Sequence, residues 1–181
     1  MKTRTDCRIY NKNSINHLKN LIKLFPINKH YQNLKSRIIS CAVDTRKYRV
    51  YGLSDIFLFG ELNNLETYFN EENYINSLNK YFGTYPCLIK ETAVINEIFL
   101  CARFLKKINI KLNWDLNDWW KICGEIFCIV DPTDLDFFWY KYDWKYEQRF
   151  LQDYTSNNKQ ALKFSDWLNL YYKKLHQFDD S

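Results

Sequence analysis

Glycine and proline are scarce, four and three among 181 residues. Sandwiches and barrels turn every few residues and lean on those two types, so the composition disfavours a turn-dense all-β fold. No apolar run approaches the roughly 20 residues that span a bilayer. The basic start, Met1 to Arg8, leads into Asn11-Lys12-Asn13-Ser14 rather than an apolar core, which argues against a secretory signal. The expectation is a soluble, cytoplasmic protein. Histidine is rare too: His17, His30 and His176 stand too far apart for zinc spacing, and the six cysteines include no Cys-x-x-Cys pair. Buried, reduced thiols are expected, with no metal and no cofactor. Gly-rich phosphate loops, Gly-x-Ser-x-Gly and His-Glu-x-x-His are missing, so no catalytic residue is assigned and an enzyme is not expected.

Apolar residues make up 46% of the chain and aromatics 18%, enough to fill a sizeable core and leave some Trp and Tyr at the surface. The pattern predicts an all-α, single-domain bundle of about six to eight helices covering residues 1–181. At its centre stands an apolar helix over 87–107, in which Val94, Ile95, Ile98, Phe99, Ala102 and Leu105 share one broad face. Glu91 falls on that face, so it is paired, protonated or close enough to the helix N-terminus to take backbone N–H groups, and a general acid or base role is the alternative to a structural one. Residues 1–50 read as a basic helical hairpin, Ser14 to Phe25 and about Lys29 to Ala42. Residues 54–176 read as the main helical body, and 177–181 as a frayed tail. Segments 46–51 and 108–112 alternate enough to form one short β-ribbon, or else are plain connections.

Within the body, helices are expected from Ser54 through Phe69 with an interruption at Gly60, from Glu71 to Phe82 capped by Asn70, and from Leu116 to Ile129 capped by Asp115. Asp131-Pro132-Thr133-Asp134 has the cap and proline of a helix start, and Leu135, Phe138, Trp139, Tyr142, Tyr146 and Phe150 carry that helix toward Tyr154. Phe137-Phe138-Trp139-Tyr140 has strand propensity as well, so 135–146 is the least determined stretch. A last helix runs from about Ala161 to His176.

Charge is divided unevenly. Residues 1–50 hold twelve Lys or Arg against Asp6 and Asp44, whereas 114–154 hold nine Asp or Glu against four bases. The second stretch also carries five of the six tryptophans. Carboxylates ringing aromatic anchors suit the docking of a basic protein, and the candidate partner-binding residues are Asp118, Glu125, Asp134, Asp136, Trp139, Tyr140, Asp143, Trp144 and Glu147. The alternative is a nucleic-acid-binding regulatory module that uses Lys19, Lys23, Lys35, Arg37, Arg46, Lys47 and Arg49, with Tyr10, Tyr31 and Tyr48 available for stacking on bases. In general character, though in no motif, the chain is similar to bacterial immunity and antitoxin proteins. That likeness implies a non-catalytic inhibitor that binds a basic, nuclease-like toxin.

Overall fold

A computed structural model describes residues 1–31, 33–70, 96–139 and 161–176. It is a mixed α/β protein, which overturns the all-α expectation. In chain order the elements are β1 (Lys2–Thr3), β2 (Cys7–Ile9), α1 (Ser14–Leu24), β3 (Ile38–Cys41), β4 (Phe57–Phe59), α2 (Leu62–Phe69) and α3 (Asn96–Lys107). There follow α4 (Leu116–Ile126), β5 (Phe127–Val130), a 3-10 turn (Pro132–Leu135), β6 (Phe137–Trp139) and α5 (Phe164–His176).

Four strands form one sheet in the order β1-β4-β3-β5. β3 lies antiparallel to β4 and parallel to β5, with Ile38 opposite Phe127 and Cys41 opposite Val130. Every residue of β3 and β5 is buried. A strand covered on both faces shows no alternation, so a short continuous apolar run looks the same whether helix or strand. That ambiguity explains the two largest corrections. The expected second helix at 29–42 contains β3 instead, and the expected helix to Ile129 stops at Ile126, where the backbone extends at Phe127 (φ −100°, ψ 165°) and becomes β5 without a loop. Similarly, Phe57–Phe59 is β4 where a helix from Ser54 was expected, and only Leu62–Phe69 is helical there.

A second, two-stranded sheet pairs β2 with β6, placing Cys7 opposite Trp139 and Ile9 opposite Phe137. Strand propensity therefore wins at 137–139, against the helix drawn there. The ribbon expected between 46–51 and 108–112 does not form. Arg46 bridges Ala161, and the 108–110 turn closes α3: the Ile110 N–H donates to Leu105 O at 2.9 Å while Asn109 takes a left-handed φ of 65°. Asparagine tolerates that conformation better than most residues, as a helix-ending position requires.

The helix ends follow elementary capping. Asp115 accepts the Asp118 N–H at 2.8 Å, as expected. Ser14 begins α1 but does not cap it; its hydroxyl donates to Leu135 O at 3.3 Å. Asp131 precedes the 3-10 turn, yet its carboxylate serves α5, accepting the Phe164 N–H at 3.3 Å. Gly124 lets α4 and α5 approach: a Cβ there would sit 3.0 Å from the Leu170 carbonyl. The buried core takes in large aromatics from several elements, including Trp119, Trp167, Tyr51, Phe57, Phe99, Phe104 and Phe127. The described cysteines, Cys7, Cys41, Cys101, Cys123 and Cys128, are free and buried, and burial pushes their thiols up, to about 11 at Cys7 and about 12 at Cys41. Glu91, the first part of the central helix at 87–95, the 71–82 helix and the 177–181 tail lie outside the described residues.

Candidate functional site

The acidic and aromatic candidates divide into inner and outer groups. Glu125 is 4% exposed near the end of α4 and accepts a hydrogen bond from the Tyr31 hydroxyl. Trp139 is 6% exposed, and its indole N–H donates to Asp6 Oδ2 at 2.7 Å beneath the Arg4 guanidinium. Both are structural rather than free to anchor a partner, which corrects the reading of Trp139 as a surface anchor. Burial works against the charge of Asp6, but the Trp139 indole and Arg4 outweigh it and hold the carboxyl below its ordinary value.

Asp118 is half-buried and heavily engaged. Its carboxylate accepts the Tyr51 hydroxyl, the Asn113 N–H at 3.0 Å and the Asn113 side-chain amide at 3.3 Å. The Trp114 N–H donates in turn to the Tyr51 hydroxyl at 3.1 Å. Tyr51 and Trp114 both hold left-handed backbone, φ 54° and 60°, with their rings edge to face at 4.9 Å. Such a conformation is costly for aromatic residues and persists only where the surroundings fix it; here the Asp118 network does so. Burial, then the hydrogen bond to Asp118, raises the Tyr51 hydroxyl far above its ordinary value. Asp118 is thus a clasp between the 51 and 113 loops and the start of α4.

Asp134 and Asp136 remain exposed. They flank the end of the 3-10 turn, and the Asp136 carbonyl accepts the Tyr10 N–H at 3.1 Å. Tyr10 is 60% exposed, with its ring 6.0 Å from that of Phe138 on the outward side of the β2–β6 ribbon. The fold thereby ties the backbone at Tyr10 to that of Asp136, two residues beyond Asp134. The sequence alone offers Tyr10 only for base stacking, because nothing local signals that 7–9 pairs with 137–139. Tyr140, Asp143, Trp144 and Glu147 lie outside the described residues.

The basic candidates divide too. Arg37 is 2% exposed and donates to the carbonyls of Phe25 (2.7 Å), Pro26 (3.3 Å), Gly124 (2.8 Å) and Phe127 (3.0 Å), with the Tyr171 ring 4.9 Å away. It is an internal strut, which corrects its assignment to a nucleic-acid surface. Arg46 pairs with Asp44 at 3.2 Å and Lys47 with Asp166 at 2.8 Å; the Arg49 stem packs over Gly52. Lys19, Lys23 and Lys35 are exposed. Among the described residues no group of His, Cys, Asp or Glu is arranged to hold a metal ion, and no helix is long and apolar enough to cross a membrane. No protein-family model, curated protein or solved structure matches this chain.

Proposed function

We propose that this protein is a non-catalytic, protein-binding inhibitor of the immunity or antitoxin kind, acting in the cytoplasm on a basic, nuclease-like toxin. The observation that carries this reading is the exposed pair Asp134 and Asp136 beside the exposed Tyr10 on the β2–β6 ribbon. Carboxylates at a rim steer a basic partner and set its register, and a tyrosine held on a ribbon is an economical anchor. Burial of Arg37 and the pairing of Arg46 and Lys47 weigh against the nucleic-acid alternative, because they remove charges that would have to meet phosphate.

A tagged pull-down from the native host, divided into nuclease-treated and untreated halves, is the first test. A stoichiometric protein partner that survives nuclease is expected. Asp134→Lys combined with Asp136→Asn, the asparagine chosen because position 136 has a φ of 47°, should then weaken that partner's binding about tenfold or more. Tyr10→Ala should cost about 1–2 kcal/mol of binding. Unchanged affinity for both variants, or recovery of nucleic acid with no protein partner, would overturn the reading.

A further inference from the structure

A cleft of about 280 Å3 lies between the chain that leads into β3 and the turn that ends α3. His30, Tyr31, Asn33 and Leu34 line it from the first segment, and Ile108, Asn109 and Ile110 from the second. Its size suits a single small ring system rather than a large ligand. The walls are set in advance. The Tyr31 hydroxyl is held by the buried Glu125, Leu34 N–H donates to Tyr31 O at 3.0 Å, and the hydrogen bond from Ile110 to Leu105 fixes the opposite turn. The His30 and Tyr31 rings pack together with centroids 4.0 Å apart, and both residues line the cleft with the buried, apolar Leu34 and Ile108. Asn33 and Asn109 add amides, each a paired donor and acceptor.

The charges around this cleft are graded. Inside, the buried Glu125 carboxylate that holds the Tyr31 hydroxyl makes the seat electronegative, which repels an anion and favours an N–H donor. Outside, Lys29, Lys35, Lys106 and Lys111 are all exposed and each lies within two residues of a lining residue. A ligand that satisfies both zones has a neutral, amino-bearing aromatic ring and an anionic tail. We propose that this cleft binds an adenine nucleotide, with the base seated against Tyr31 and the Asn33 and Asn109 amides and the phosphate on the lysine rim. Asparagine presents the donor and acceptor that adenine's edge requires, and aromatic faces accept bases by stacking. This site is separate in its residues from the Asp134 surface and does not depend on the inhibitor reading.

The test is titration of the full chain with AMP, adenosine, inorganic phosphate and single-stranded poly(dA), followed by NMR shifts at His30 and Ile110. AMP should bind more tightly than adenosine, and inorganic phosphate more weakly than either. Asn33→Ala, at an exposed position, should weaken AMP and adenosine alike by about tenfold. Lys29→Glu/Lys35→Glu should bring AMP down to the level of adenosine and leave adenosine unchanged. Tighter binding of poly(dA) per site than of AMP would identify the source as single-stranded nucleic acid, and the reverse a free nucleotide; either keeps the base-and-phosphate assignment. Phosphate competing as well as AMP, no shift at His30 or Ile110 with millimolar AMP, or an Asn33→Ala variant with unaltered AMP affinity would overturn it.

Discussion

Arg37 and Asp136 come from the basic and acidic ends of the sequence, and the fold treats them oppositely. Arg37 sits between the end of α1 and the α4–β5 junction, with four of its five N–H donors given to carbonyl oxygens. Those acceptors are of the kind that helix ends leave over: Gly124 O lies in the last turn of α4, where its usual helical donor would belong to the strand that follows. A planar fork with five N–H donors can collect such groups, whereas a lysine ammonium offers only three donors at one point. Burial lowers the Arg37 pKa from its ordinary value, but an arginine retains its charge under such a shift. Asp136, on a left-handed turn, contributes its backbone to the fold and leaves its carboxylate in solvent. The sign of a segment's charge is therefore a poor guide to the sign of its surface; what matters is which side chains the folded backbone needs as donors.

The comparison breaks most sharply at Arg37. Arg37→Met would take a donor from the buried Gly124 carbonyl and from those of Phe25 and Pro26 just after α1, leaving Phe127 O only the Trp167 indole, and we expect a loss of about 3–5 kcal/mol, read as a lower urea midpoint. A loss below about 1 kcal/mol would mean that water replaces the guanidinium and that Arg37 is no strut. Trp139→Ala comes next. It removes a buried indole and its bond to Asp6, so a loss of about 3 kcal/mol is expected, together with an earlier melting of the β2–β6 pairing seen by amide exchange. Gly124→Ala should be smaller, about 1 kcal/mol destabilising. The added methyl meets the Leu170 backbone at 3.0 Å, while alanine's better helix propensity returns part of the cost. A stabilised variant would show that α5 can move aside.

What was legible in the sequence follows the same division. α1, α2, the later part of the central helix, α4 and α5 each carry one apolar face, and a 3.6-residue period reveals them. β3 and β5 were hidden because burial on both faces removes the two-residue alternation that marks a strand, leaving Ile38-Ile39 and Phe127-Cys128-Ile129-Val130 to be read as more helix. β-branching, at Ile38 and Ile39 in β3 and at Ile129 and Val130 in β5, was the local hint. The candidate surface was legible as composition and no further. Asp134 and Asp136 could be named, but Tyr10 joins them through a pairing across more than a hundred residues, and the inward turn of Trp139 and Arg37 depends on partners equally remote.

The smallest expected effect is a pair of opposed pH slopes. Burial, opposed by the Phe164 N–H, raises the Asp131 carboxyl above its ordinary value, so the folded protein binds that proton more tightly than the unfolded chain. Its contribution to stability is full below the unfolded pKa near 3.8 and is lost as pH rises through the folded pKa. Asp131→Asn escapes that loss, and its stability relative to the parent should climb over the acid range and level off once Asp131 is ionised. Asp6 has the contrary sign: held below its ordinary value, it contributes above the unfolded pKa near 3.8 and loses that contribution as pH falls through the folded pKa. Asp6→Asn should accordingly lose ground to the parent as pH rises over the same range. Urea unfolding at matched acid and neutral pH measures both slopes. Parallel slopes for the two variants would mean that backbone and indole donors, rather than the balance of burial against them, govern both carboxylates.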